Sequence, residues 1–215
     1  MYCALMVVAW ILGLPSDARA QETVARIKFG QGEIGAAPVA FAFSPRTDNK
    51  HGSWTVVHDT TAETGLAIEQ AGLAADAEQS ALAVYKPVSV KNAEISLRIN
   101  AAGGKSDQGG GVAVRLSDPH NYYLVQLDAL RDRVLLTRVS DGVSEEIAAV
   151  DADIASRSWH ALTVRAKDDE FFVSVDGTWV FTGFDNTLSQ PGRIALWTKG
   201  DSLTRFDQIE IAPLP

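Results

Sequence analysis

Gly110-Gly111-Val112-Ala113-Val114-Arg115-Leu116, Tyr122-Tyr123-Leu124-Val125-Gln126-Leu127 and Val134-Leu135-Leu136-Thr137-Arg138-Val139 follow one another with only short turns between them. Phe171-Phe172-Val173-Ser174-Val175 and Arg193-Ile194-Ala195-Leu196-Trp197 continue the pattern. Short runs rich in β-branched and aromatic residues, bounded by turn residues every 8–12 positions or so, are what an antiparallel sandwich produces. The punctuation agrees. Asp118-Pro119-His120-Asn121 makes one turn, and Asp132 helps to close another. Asp141-Gly142 and Asp176-Gly177 are two-residue hairpin signals, because both central positions of such turns want positive φ. From Gly109 to Ile211 the chain reads as all-β.

Upstream, residues 24–29, 39–43, 52–59, 65–70, 81–85 and 93–99 supply further strands, while 71–79 reads as a small-residue loop without an apolar face. The segment 103–111 is a glycine-rich loop. Its Gly104-Lys105-Ser106 echoes a phosphate loop, but Ile99 stands where the leading glycine is required and a strand follows instead of a helix. In the last strand the apolar positions change phase between Phe206 and Ile209, which predicts a bulge. No repeat, charge run or linker divides residues 21–215, so one domain is expected there.

The N-terminus carries an apolar run from Ala4 to Leu14, then Pro15 and Ala18-Arg19-Ala20, a small-x-small site for cleavage before Gln21. Residues 1–20 are therefore expected to be a signal peptide, although no Lys or Arg precedes the run. The run is shorter than the roughly 20 apolar residues a span requires, so no membrane span is expected in the mature chain. A periplasmic or secreted location follows. Cys3 is the single cysteine and cleavage removes it, which excludes a disulfide framework or cysteine metal site. With 19 Lys and Arg against 27 Asp and Glu, the formal charge is −8. An acidic surface without a basic, aromatic-interleaved patch excludes nucleic acid as an expected partner.

Four stretches carry a family resemblance: Asp118 to Tyr123, Ser158-Trp159-His160-Ala161-Leu162, Val175-Asp176-Gly177, and the closing run from Gly192 to Asp207. They resemble the concanavalin A-like/laminin G-like jelly-roll superfamily, and within it the exported bacterial 3-keto-disaccharide hydrolase-like domains. The resemblance implies a two-sheet antiparallel jelly-roll sandwich whose concave sheet serves the members with sugar-directed activity. It also implies that calcium can sit at a rim. It does not select an activity, since the superfamily holds lectins, carbohydrate-binding modules, glycosidases and adhesion modules alike.

Strand alternation proposes a site. If the strands pair in order, Arg115, Gln126, Asp128 and Arg138 share an open face, with Tyr122 as a stacking wall. Arginine forks and Gln or Asp acceptors suit vicinal sugar hydroxyls; the same residues equally suit solvated cross-strand pairs. Among the tryptophans, Trp159 and Trp197 read as core or rim packing and Trp54 and Trp179, next to turns, as the more exposed pair, with core still the leading assignment for any single one. Asp118, Asp201 and Asp207 are the calcium candidates, each with turn capping as the competing role. His51, His58, His120 and His160 lack metal-ligand spacing. No strand carries the paired carboxylates of standard glycoside hydrolysis, and no nucleophile elbow is present. Three functions stay open: a non-catalytic glycan-binding or interaction module, a glycoside or 3-keto-glycoside hydrolase or lyase, and a calcium-dependent adhesion or structural domain with a protein partner.

Overall fold

A computed structural model describes residues 24–44, 53–71 and 80–215. The chain forms β1 (Ala25–Ile27), a single 3-10 turn (Gln31–Glu33), β2 (Phe41–Ser44), β3 (Ser53–His58), β4 (Leu66–Ala71), β5 (Ser80–Val90), β6 (Ala93–Gly103), β7 (Gly109–Asp118) and β8 (Asn121–Asp128). It continues through β9 (Arg133–Ser140), β10 (Val143–Asp151), β11 (Trp159–Lys167), β12 (Glu170–Val175), β13 (Thr178–Phe184), β14 (Gly192–Lys199) and β15 (Leu203–Pro213). The signal segment and the 72–79 loop lie outside the described residues.

All named pairings are antiparallel, in two sheets. One, of eight strands, runs β13-β12-β11-β6-β15-β4-β3, with β1 added along β15; the other, of seven, runs β10-β9-β8-β7-β14-β5-β2. This is the expected two-sheet jelly-roll sandwich. Its core is built by alternation: Ile95, Leu97 and Ile99 of β6, Leu162 and Val164 of β11, Phe171 and Val173 of β12 meet Val112, Val114, Tyr123, Val125, Val134, Leu136 and Leu196 of the facing sheet. Fully burying each such side chain is worth about 1.5–3 kcal/mol.

Both hairpin signals form as expected, with Asp141 and Gly142 at φ 51° and 78° and Asp176 and Gly177 at 51° and 75°. The expected bulge in β15 falls between Asp207 and Glu210, with Gln208 at φ 49°. A bulge that the alternation does not reveal sits in β7. There the register shifts between Val114 and Asp118, and Arg115 adopts φ 52°. A Cβ on Gly192 would stand 2.3 Å from the Arg115 carbonyl carbon, so β14 passes the bulge only as glycine.

The outer faces of the two sheets differ in kind. On the eight-stranded sheet it is charged: Arg205 bridges Glu69 at 2.7 Å and Asp59 at 3.1 Å, and the Arg98 guanidinium lies 4.9 Å from the Trp159 ring centroid. The seven-stranded sheet instead carries a second apolar cluster there, built from Leu82, Ala113, Leu116, Tyr122, Leu124, Val139, Ala195 and Trp197. That face also holds the candidate site.

Candidate functional site: a groove over the glycine strand

β7 is nearly bare on its outer side. Alternation sends Gly110, Val112 and Val114 inward and leaves Gly109, Gly111 and Ala113 outward. Glycine is enforced by proximity: a Cβ at Gly109 would meet the Leu127 carbonyl oxygen at 2.2 Å, and one at Gly111 the Val125 carbonyl oxygen at 2.3 Å. The consequence is a trough whose walls come from the neighbouring strands. Gly111 lies opposite Gln126 of β8 on one side and Trp197 of β14 on the other. The resulting groove encloses about 390 Å³ and is bounded further by Tyr122, Asp128, Arg133, Thr137, Lys199 and Ser202. That volume suits a small organic ligand.

The groove is polar at chosen points. Gln126 is half-buried, and its amide makes no hydrogen bond among the described residues. Trp197 and Ser202 are buried, yet the Trp197 Nε1 and Ser202 Oγ atoms have no hydrogen-bond partner among the described residues. Leaving a buried donor unpaired costs about 1–3 kcal/mol. The Tyr122 phenol stands beside Trp197 and Ser80; burial lifts it above the ordinary tyrosine range, and those two neighbours draw it part of the way back. It does not complete the indole's hydrogen bond.

Tyr122, Gln126 and Asp128 share this face, where alternation puts them. Asp128 is committed to its turn: Oδ1 accepts from the Leu130 and Arg131 amides at 3.0 and 3.1 Å, and Oδ2 from the Arg131 guanidinium at 2.8 Å. Arg115 and Arg138 do not join them. The β7 bulge turns Arg115 inward, where it is 2% exposed. It donates to the Lys91, Leu188 and Asp168 carbonyls at 2.9, 3.4 and 2.6 Å, and its guanidinium carbon lies 5.1 and 5.8 Å from the Phe171 and Tyr123 ring centroids. This burial pulls the guanidinium below its usual range. Arg138 falls in step with Val134 and Leu136, which face the core. Near the sandwich rim it pairs with Asp185 and Glu145 and donates to Thr187. β9 is apolar on both faces, so its sequence holds no parity signal to follow.

Each calcium candidate accepts hydrogen bonds from neighbouring donors. Asp201 accepts the Lys105, Ser106 and Asp107 amides at 2.8, 3.1 and 2.9 Å. Asp118 takes the His120 amide at 2.7 Å and the Asn121 side chain. Asp207 accepts from the Glu63 and Gln208 amides, both at 2.7 Å. No cluster of three metal-ligating side chains occurs among the described residues. His120 sits in a surface turn.

Trp54, one of the pair ranked as more exposed, is a core residue at 5% exposure and stacks with Phe43. Trp179, the other member of that pair, is 59% exposed. Trp197 is the wall residue that sequence reasoning assigned to packing. The signal was present in β14, where Ile194 and Leu196 alternate inward and so place Ala195 and Trp197 on the outer face.

Fold and groove together define a two-sheet antiparallel jelly-roll sandwich with a ligand-sized trough on one outer sheet face. No protein-family model matches the chain, and no curated protein matches it. Solved structures do. The carbohydrate binding module CBM66 from Bacillus subtilis superposes with a TM-score of 0.60 at 20% identity, over 77% of this chain and 98% of that one. The Bacillus licheniformis β-glucanase gives 0.56 at 11% identity, over 85% and 96%. Domain 4 of an extracellular GH43 arabinanase from Geobacillus stearothermophilus, in complex with arabinotriose, gives 0.55 at 14% identity, over 77% and 78%. At these identities the likeness is one of fold.

Proposed function

We propose that this protein is a non-catalytic glycan-binding module that takes a neutral sugar into the groove above β7. The observation that carries the reading is the glycine floor between Gln126 and Trp197, a trough beside an uncommitted amide and an unpaired indole N–H. A pyranose presents apolar C–H patches and a ring of hydroxyls. Leu124, Leu135 and the Trp197 ring offer the apolar surface, while Gln126 and Thr137 offer donors and acceptors. Two solved relatives in fold support the reading by what they are named for, a carbohydrate binding module and an arabinotriose-bound domain. Export is part of the same proposal, carried by residues 1–20, and brings the module to extracellular glycans.

The test is a thermal-shift screen against neutral mono- and oligosaccharides, repeated on Gln126→Ala. A ligand at about 100 times its Kd adds roughly 2.7 kcal/mol of stability. The expected result is a sugar-specific rise that Gln126→Ala diminishes. No rise with any sugar, or a rise that the variant leaves intact, overturns the groove assignment. The resemblance to 3-keto-disaccharide hydrolase-like domains sets a second check: turnover of a 3-keto-glycoside, lost in Asp128→Asn, would contradict the non-catalytic reading.

A further inference from the structure

The last two strands of the eight-stranded sheet expose three aromatic side chains on its outer face. Phe172 of β12 and Trp179 and Phe184 of β13 are 36%, 59% and 64% exposed. Two follow simple alternation, since Phe171 and Gly183 point inward beside them. Trp179 does not. Counting back from the buried Phe181, strict alternation would turn Trp179 into the core and Val180 out to solvent. A bulge opposite Val173 and Ser174 reverses this: Val173 pairs with Phe181 and Ser174 with Trp179, and Val180 packs against the core. Bulges commonly serve to re-aim a side chain. Here the re-aimed group is a large indole placed in water.

The indole is also oriented. Its Nε1 donates to Thr182 Oγ1 at 3.3 Å, the next outward residue of the same strand. That tie lays the ring along β13. Trp179, Thr182 and Phe184 then form a strip of roughly 15 Å at a rise of about 3.3 Å per residue. Ser174 of β12 lies opposite Trp179 and Thr163 of β11 lies opposite Ser174, Thr182 lies opposite Phe172, and the charged Arg165 and Glu170 flank Phe172 and Phe184.

We infer that this strip is a second glycan contact surface, one that lies against the face of an extended neutral polysaccharide. The exposed rings match the C–H faces of a sugar chain, and the hydroxyls with the flanking Arg165 and Glu170 match its hydroxyls. The chain's charge of −8 sets it against acidic polymers and against close approach of a second copy. β13 is the terminal strand of its sheet, so a long polymer can cross it without meeting a flanking strand. The surface is independent of the groove, being on the other sheet, and the two would act as linked contacts on one polymer.

The experiment is depletion binding of the protein to suspensions of cellulose, chitin and insoluble β-1,3-glucan. It compares the parent, Trp179→Ala, Phe184→Ala and Gln126→Ala, with sedimentation velocity of each. The expected result is retention of the parent on at least one polymer, weakened about tenfold or more in both aromatic variants. Gln126→Ala reads the groove separately, through soluble oligosaccharides. Unchanged thermal midpoints in the aromatic variants would show that their exposed positions are not structural. Parent binding to none of the polymers, retention unchanged in the aromatic variants, or a dimer that Trp179→Ala dissociates would each overturn the inference. Loss of soluble-sugar binding alone would instead bear on the groove.

Discussion

Replacing Arg115 by methionine separates a structural arginine from a ligand-binding one. The guanidinium ties three segments together through the carbonyls of Lys91, Asp168 and Leu188 and packs over Phe171 and Tyr123. Methionine keeps most of the volume and restores none of these bonds. Each carbonyl left unpaired in a buried setting costs about 1–3 kcal/mol. The burial that pulls the guanidinium below its usual range offsets part of this, because removing the charge relieves its desolvation. A net loss of about 3–5 kcal/mol follows, a large share of the 5–15 kcal/mol or so that holds a domain together. At about 2–4 °C per kcal/mol for a chain of this size, the midpoint should drop by roughly 10 °C. Arg115→Lys should lose most of it too, since one ammonium cannot span a fork of three acceptors. Urea denaturation with matched slopes measures the effect. A loss below about 1 kcal/mol, coupled to loss of sugar binding, would refute the inward placement and restore Arg115 to the groove.

Two further outcomes follow from titrating groups. Burial, then the hydrogen bond to Asp185, pushes the Tyr123 phenol up to about 12. Because that value exceeds the unfolded one, Tyr123 contributes stability below about pH 10 that is lost as pH rises toward 12. Absorbance titration should show a late phenolate component near pH 12 that Tyr123→Phe removes; its persistence in that variant would contradict the assignment. The Asp201 carboxylate is lowered, chiefly by the Asp107 and Lys105 amides. Its contribution is therefore present above the unfolded value, near pH 4, and lost as pH falls through the folded one. Asp201→Asn should flatten the acid limb of stability and speed hydrogen exchange at Lys105 to Asp107; unchanged exchange would show that the cap does not hold that loop.

Strand content and hairpins were legible because they depend on local chemistry: an Asp-Gly pair or a period of two is visible in any window. The site was half legible. Tyr122, Gln126 and Asp128 belong to a strand whose register stays regular, so parity placed them together. Arg115 failed because a bulge adds a residue without a Gly or Pro to mark it, and one added residue inverts every later face. Arg138 failed because β9 is apolar on both sides: one face meets the core and the other meets the second apolar cluster. The trough itself was hidden inside a supposed loop. Gly109 and Gly111 look like flexibility in sequence, yet they are strand residues pressed against β8.

The most direct test of the groove is an NMR titration that follows the Trp197 indole N–H, assigned through Trp197→Phe, together with the Gln126 side-chain amide. The account predicts that a neutral oligosaccharide shifts both signals along one saturating curve, with the remaining indole signals still. Saturating shifts confined to other indoles, or no shift of Trp197 and Gln126 with any sugar that stabilises the protein, would contradict it.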